Sequence, residues 1–309
     1  MSRVQYGIWP NCCNACDFCL NLREKFYTKE KQIQMIRNVR TNIDFLDWEN
    51  KFFNGISLLG GELYFITDED IQKEFLELID DIIEKIILKA KSTTCKYSTV
   101  TNGLYNPEFL FKVLDKFDKL DLMDYVDLSF SYDLKHRFHT EERKQLCESN
   151  IIKTVERYPK LKVYVQMILT QNLINEYNKN KNILKDIENK LHIESLNLLF
   201  PHKHNTGKEL TDFYFNRRDF LHFLYDLNAT DKQKVIQFVT SIVNVDTNAY
   251  IGLYRRQTAE DEENINVEQQ PLKEDVKLLL NPDCGHSIIY QCYADSDKCL
   301  YCDLRKFQC

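Results

Sequence analysis

No stretch of this sequence approaches the roughly 20 consecutive apolar residues that a membrane-spanning helix needs. The opening residues, Met1-Ser2-Arg3-Val4-Gln5, lack the apolar region of a secretory signal. A basic excess is missing too, because the formal net charge over 309 residues is −6. Phosphate backbones are bound by clustered Lys and Arg, so nucleic acid is not an expected partner. The expectation from these absences is a cytoplasmic protein with no membrane partner.

What is present is an ordinary globular balance, 43% hydrophobic and 28% charged. The length allows one large domain, or one domain plus a small appendage. Eleven cysteines then need a reason. In a reducing compartment, clustered cysteines are metal ligands more often than disulfides. Nine of the eleven fall within 12–19 and 284–309, at the two ends of the chain. Cys95 and Cys147 stand alone and read as small buried hydrophobes.

Between those ends, short apolar runs alternate with amphipathic segments. Strands are expected at Val4–Trp9, Gly55–Leu59, Lys96–Thr101, Val126–Ser131, Lys162–Leu169 and Ser195–Phe200. Helices are expected at Lys29–Trp48 with Thr28 as cap, Ile71–Ala90, Pro107–Phe117, within Glu141–Tyr158, and at Leu173–Leu191. Ile71, Phe75, Ile79, Ile82, Ile83 and Ile86 share one helical face. Six such repeats predict an α/β fold with a parallel sheet and helices outside it, a partial (β/α)6 TIM-like barrel. Past Phe200 the rhythm breaks. Two helices are expected near Arg217–Leu227 and Asp231–Val243, and the acidic run Glu260-Asp261-Glu262-Glu263 reads as a solvated loop. The expected division is a core barrel at 1–215 and a C-terminal region at 216–309, ending in a cysteine-rich extension.

The first cysteine cluster is Trp9-Pro10-Asn11-Cys12-Cys13-Asn14-Ala15-Cys16-Asp17-Phe18-Cys19. Cys12, Cys16 and Cys19 are spaced C-x3-C-x2-C. A [4Fe–4S] cube normally takes four thiolates, so three on one loop would leave one iron open. Zinc sites favour C-x2-C pairs or cysteine with histidine, plus a nearby fourth ligand. A ferredoxin-like run through Cys13 would want a fourth cysteine followed by proline, and Leu20-Asn21-Leu22 follows instead. Three further motifs fall at strand ends: Gly60-Gly61-Glu62, Thr101-Asn102-Gly103 and Ser131-Tyr132-Asp133. In a parallel α/β sheet, active sites form where the loops after the strands meet. His136 and His139 flank Arg137 beyond the fourth strand and read as solvated side chains, as do His202 and His204 after the sixth.

The cysteine spacing, with these motifs, resembles the radical S-adenosylmethionine (radical SAM) enzymes. The resemblance implies a [4Fe–4S] cluster held by Cys12, Cys16 and Cys19, whose open iron is chelated by S-adenosylmethionine. It implies reductive cleavage to a 5′-deoxyadenosyl radical that abstracts hydrogen from a substrate. It places Phe18 near the adenine and Gly60, Gly61 and Glu62 at the cofactor's amino group. It also places Asn102, Ser131 and Asn172 around the cofactor. Leu63 stands where the family often has proline, and Leu134 where it usually has glycine.

The tail carries Cys284, Cys292, Cys299, Cys302 and Cys309, with Cys299-x2-Cys302 as a two-ligand clip. It resembles the SPASM and twitch extensions of the peptide- and protein-modifying branch, although the spacing does not match the full SPASM pattern. Five thiols suit one auxiliary [4Fe–4S] cluster, with structural zinc as the alternative. The expected substrate is a peptide or protein side chain, and the expected electron donor a reduced flavodoxin or ferredoxin. The alternatives are a radical SAM enzyme acting on a small molecule or nucleoside, and a non-catalytic zinc- or metal-binding protein. The short stretch before Val4 leaves no room for a separate peptide-recognition domain, which weighs against the peptide substrate.

Overall fold

The computed structural model describes residues 2–16, 26–50, 53–90, 94–199, 217–231 and 234. Phe18, Cys19, His202, His204, most of the helix expected at Asp231–Val243 and the five tail cysteines lie outside the described residues.

Six strands form one sheet in the order of the chain: β1 (Ser2–Gly7), β2 (Phe53–Leu59), β3 (Lys96–Thr101), β4 (Val126–Tyr132), β5 (Val163–Ile168) and β6 (Leu196–Leu199). Every neighbouring pair is parallel. Helices connect them: α1 (Lys29–Ile43), α2 (Glu69–Leu88), α3 (Glu108–Asp118), α4 (Glu141–Arg157), then α5 (Gln171–Lys179) and α6 (Ile183–Leu191), with α7 (Arg217–Thr230) after β6. Parallel crossovers are right-handed, and five sequential ones place all their helices on the same face. The result is consistent with a partial TIM-like fold, helices on one face of the sheet. Among the described residues, β1 and β6 are its two edges.

Side chains alternate along a strand, so in-register rows sort them onto two faces. One row runs Tyr6, Leu58, Thr99, Leu128 and Val163, and the next Thr101, Phe130, Val165 and Leu196. These residues, nearly all fully buried, pack under the helices. Tyr97, on the same face, stacks on Phe117 of α3 with centroids 5.4 Å apart. The other face is largely polar, with Val100, Tyr164 and Ile168 among its apolar members. Ser57 pairs in register with Ser98, and Ser131 with Gln166 and then Asn197. Gln166 Nε2 donates to Ser129 Oγ at 3.2 Å. Toward the strand starts, Lys96 and Asp127 form an ion pair at 2.9 Å.

The helices begin where their caps dictate. Thr28 Oγ1 accepts from Lys31 N at the start of α1. Asp68, Thr140 and Thr170 cap α2, α4 and α5 in the same way. Three expectations need correction. The first helix ends at Ile43, not Trp48, because Trp48 folds back under it and Trp48 Nε1 donates to Ile43 O at 2.8 Å. The single helix expected at Leu173–Leu191 is two. Asn180 breaks it: its backbone is extended, its Oδ1 accepts from Asn182 N, and its Nδ2 donates to Asp186. That local bonding offers the backbone an alternative to continuing the helix. His136 is buried rather than solvated, 5% exposed. None of the described helices is long and apolar enough to cross a membrane.

Candidate metal centre

The loop after β1 carries Cys12 and Cys16, and it is built against the loop after β2. Gly61 N donates to Trp9 O, and Glu62 N to Asn11 O, each at 2.7 Å. These bonds lengthen the β1–β2 pairing past the strands and hold the cysteine loop in place. A Cβ on Gly61 would lie 2.3 Å from the carbonyl oxygens of Pro10 and Asn11. The glycine is thus required by the approach of the protein's own backbone. The Asn11 carboxamide pairs with Tyr27, accepting from Tyr27 N at 2.7 Å and donating to Tyr27 O at 3.0 Å. Chain on the far side of Cys19 is thereby tied to the loop that precedes Cys12.

Glu62 is buried between that loop and β3, 2% exposed. Its Oε1 accepts from Thr101 Oγ1 at 2.9 Å and Tyr64 N at 3.2 Å, and its Oε2 from Asn102 N at 2.6 Å. A carboxylate offers about four acceptor positions, so one remains. Burial pushes the Glu62 carboxyl up to about 8, against the opposing pull of the three donors.

Asn102 joins the two halves of the site. Its Nδ2 donates to Cys12 Sγ at 3.4 Å and Cys13 Sγ at 3.6 Å, and its Oδ1 accepts from Leu104 N at 2.8 Å. Gly103, at φ +66°, makes the left-handed turn that frees the Asn102 side chain to face the cysteines. Asn150 of α4 holds that turn, donating to Gly103 O at 2.8 Å and Tyr105 O at 2.7 Å.

The loop after β4 closes the other side. Asp133, 2% exposed, accepts on Oδ1 from the backbone of Lys135 at 2.6 Å, of His136, and of Arg137 at 3.3 Å. The loop curls round this carboxylate, and Arg137 Nη1 reaches Cys16 Sγ at 3.5 Å. Asn14 Nδ2 donates to the same sulfur at 3.1 Å and to Arg137 O at 3.1 Å. Arg143, at the start of α4, donates to Cys13 O and Asn14 Oδ1, both at 3.0 Å. His139 Nε2 lies 2.9 Å from Ala15 O.

The described sulfurs are surrounded by donors. Cys12 Sγ accepts from Asn14 N at 3.3 Å as well as from Asn102. The Cys12 thiol is pushed down to about 6, first by the hydrogen bond from Cys13, against burial, then by Asn14, Arg137 and Asn102. Cys13 is pushed up by that same bond and by burial. Such an environment favours anionic sulfur at Cys12, which is the form that binds metal. The residues therefore fit thiolate ligation of a metal or cluster. Among the described residues, no three His, Cys, Asp or Glu side chains come together as a metal site, Cys19 lying outside them.

The other expected positions lie on the same rim. Ser131, half-buried, is on the polar face of β4 in register with Gln166. Asn172 is half-buried in the first turn of α5. Cys95 and Cys147 are fully buried, and burial pushes the Cys147 thiol up to about 12. Sequence reading missed Asn11, Asn14, Arg137, Arg143 and Asn150. Asn11 and Asn14 lie inside the cysteine motif, which was the available signal. Arg143 and Asn150 face the site only because α4 packs behind it.

No family model and no curated protein matches this sequence. Among solved structures, the fold is similar to the crystal structure of Streptococcus suis SuiB. The TM-score is 0.44 and the identity 14%, over 75% of this chain and 47% of that one. The chain thus spans about half the length of that protein.

Proposed function

We propose that this protein is a radical SAM enzyme. The observation that carries the reading is the joining of Cys12 and Glu62 through Asn102, whose side chain meets the sulfur and whose backbone meets the carboxylate. Cys12, Cys16 and Cys19 would hold a [4Fe–4S] cluster, and the cluster, when bound, supplies the electron that splits S-adenosylmethionine. Glu62 keeps one acceptor position for the cofactor's ammonium group, whose charge would draw the buried carboxyl into its ionised form. Thr101, Tyr64 and Asn102 fix its carboxylate, so little reorganisation accompanies binding. Ser131 and Asn172 belong to the cofactor's surroundings in this reading, and Phe18 to its adenine.

The substrate in this reading is a peptide or protein side chain, which loses a hydrogen atom. The polar face of the sheet suits that class. Ser131, Gln166 and Asn197 form a row whose hydroxyl and carboxamides can both donate to and accept from amide groups. The same chemistry would serve a polar small molecule. The tail cysteines Cys284, Cys292, Cys299, Cys302 and Cys309 are assigned to one auxiliary cluster, with zinc as the alternative. A reduced flavodoxin or ferredoxin would supply the electron.

The deciding experiment is anaerobic incubation of iron-loaded protein with reductant and S-adenosylmethionine. Release of 5′-deoxyadenosine is expected. Its absence from a sample with full iron content would refute the reading.

A further inference from the structure

Cys16 Sγ accepts two N–H donors, and one of them carries a full positive charge. Asn14 Nδ2 lies 3.1 Å from the sulfur and Arg137 Nη1 3.5 Å. Neither contact is incidental. Arg143 fixes the Asn14 carboxamide by donating to its Oδ1 at 3.0 Å, which leaves Nδ2 pointing at the sulfur. The buried Asp133 carboxylate gathers the backbone of residues 135–137 and so aims the Arg137 side chain. Cys16 itself is 9% exposed, so water screens the charge weakly there.

Hydrogen bonds to ligand sulfurs, nearby charge and solvent exposure set the potential of an iron–sulfur cluster. One-electron reduction adds one negative charge to the cluster and its thiolates. A guanidinium beside a ligand sulfur stabilises that more negative state over the oxidised one. Arginine stays protonated throughout, so no proton moves with the electron. The electron comes from an external reductant of the flavodoxin or ferredoxin class, and no bond at Arg137 forms or breaks.

We propose that Arg137 is a positioning residue that raises the reduction potential of the cluster at Cys12, Cys16 and Cys19, acting through the Cys16 sulfur. This rests on the functional reading above. It makes the β4–α4 loop an electrostatic device, with Asp133 as its pivot and Asn14 as its neutral partner.

The test is a redox titration followed by electron paramagnetic resonance. It uses the full chain reconstituted anaerobically with iron and sulfide. The relevant signal is the one that changes on adding S-adenosylmethionine and is missing from a Cys12→Ala/Cys16→Ala/Cys19→Ala variant. Arg137→Gln and Arg137→Met remove the charge, and Arg137→Lys retains it. In the neutral variants the midpoint should become more negative. At the unaltered protein's midpoint, the reduced-to-oxidised ratio should fall about tenfold, roughly 59 mV for one electron. Arg137→Lys should fall between. A midpoint that is unchanged or more positive in both neutral variants overturns the proposal. So does failure of both to take up iron while Arg137→Lys loads, because that outcome assigns Arg137 to assembly alone. An unaltered protein that binds no iron at the three cysteines sinks the functional reading itself, and iron content tells that case apart.

Discussion

Asn102 N donates to Glu62 Oε2 at 2.6 Å, across 40 residues of chain. That bond, with those from Thr101 and Tyr64, holds a carboxyl group inside the protein on three neutral donors. Burial nevertheless raises its pKa from 4.5 to about 8. An acid whose folded pKa exceeds its unfolded value holds its proton more tightly when folded. Between 4.5 and about 8 the folded chain keeps a proton that the unfolded chain has released, so this group's contribution to stability falls as pH rises. The slope from one proton is at most about 1.4 kcal/mol per pH unit. Glu62→Gln should lack it. Urea denaturation of cofactor-free protein across that window checks this, and equal slopes in the two proteins would contradict it.

Gly61 has a different sensitivity. A methyl group there would sit 2.3 Å from two carbonyl oxygens of the cysteine loop, with backbone on the receiving side. Gly61→Ala should therefore push the loop away from β2 and cost about 1–3 kcal/mol, the usual range for overpacking. Iron uptake should fall with it. Denaturant midpoints and iron content measure the two effects. Gly60→Ala should cost less, because its closest neighbour at 2.6 Å is the end of the Leu63 side chain.

These two residues show how far the sequence could be read. Gly60-Gly61-Glu62 was recognisable as a motif after a strand, and the strand is where the alternation put it. The reason for the second glycine was not readable, since it depends on Pro10 and Asn11 arriving from another loop. The six strands and the helix-bearing face follow from periodicity and the rule for parallel crossovers, both local or general. The break between α5 and α6 was missed because Asn180 bonds to residues two and six positions on, a competition that hydrophobic spacing does not register. Nothing in the local sequence marks Arg137 out from the histidines beside it. Its importance depends on Asp133 curling the loop, and that is a three-dimensional fact.

Asn102 should be more important to metal retention than to folding. Asn102→Ala removes the donor to Cys12 Sγ and the acceptor for Leu104 N, while the backbone N–H to Glu62 remains. Loss of an outer hydrogen bond to a metal ligand typically costs about 10–100-fold in affinity. The expected outcome is faster loss of iron to a chelator, with a denaturation midpoint close to that of the unaltered protein. A large stability loss with unchanged iron retention would reverse the assignment.

The two cysteine-rich ends should behave as separate sites. Cys12 and Cys16 face donors from their own loop and from the loops after β3 and β4, all at one end of the sheet. Cys12→Ala/Cys16→Ala/Cys19→Ala should therefore remove cofactor cleavage and the iron of one cluster, and leave whatever metal the tail binds. Elemental analysis of the anaerobically purified triple variant distinguishes the choices for the tail. Residual iron with absorbance near about 400 nm, from thiolate-to-iron charge transfer, would assign it an auxiliary cluster. Residual zinc in its place would assign a structural site. If the triple variant retains every iron atom of the unaltered protein, the β1 loop is not a ligand loop, and the radical SAM reading falls with it.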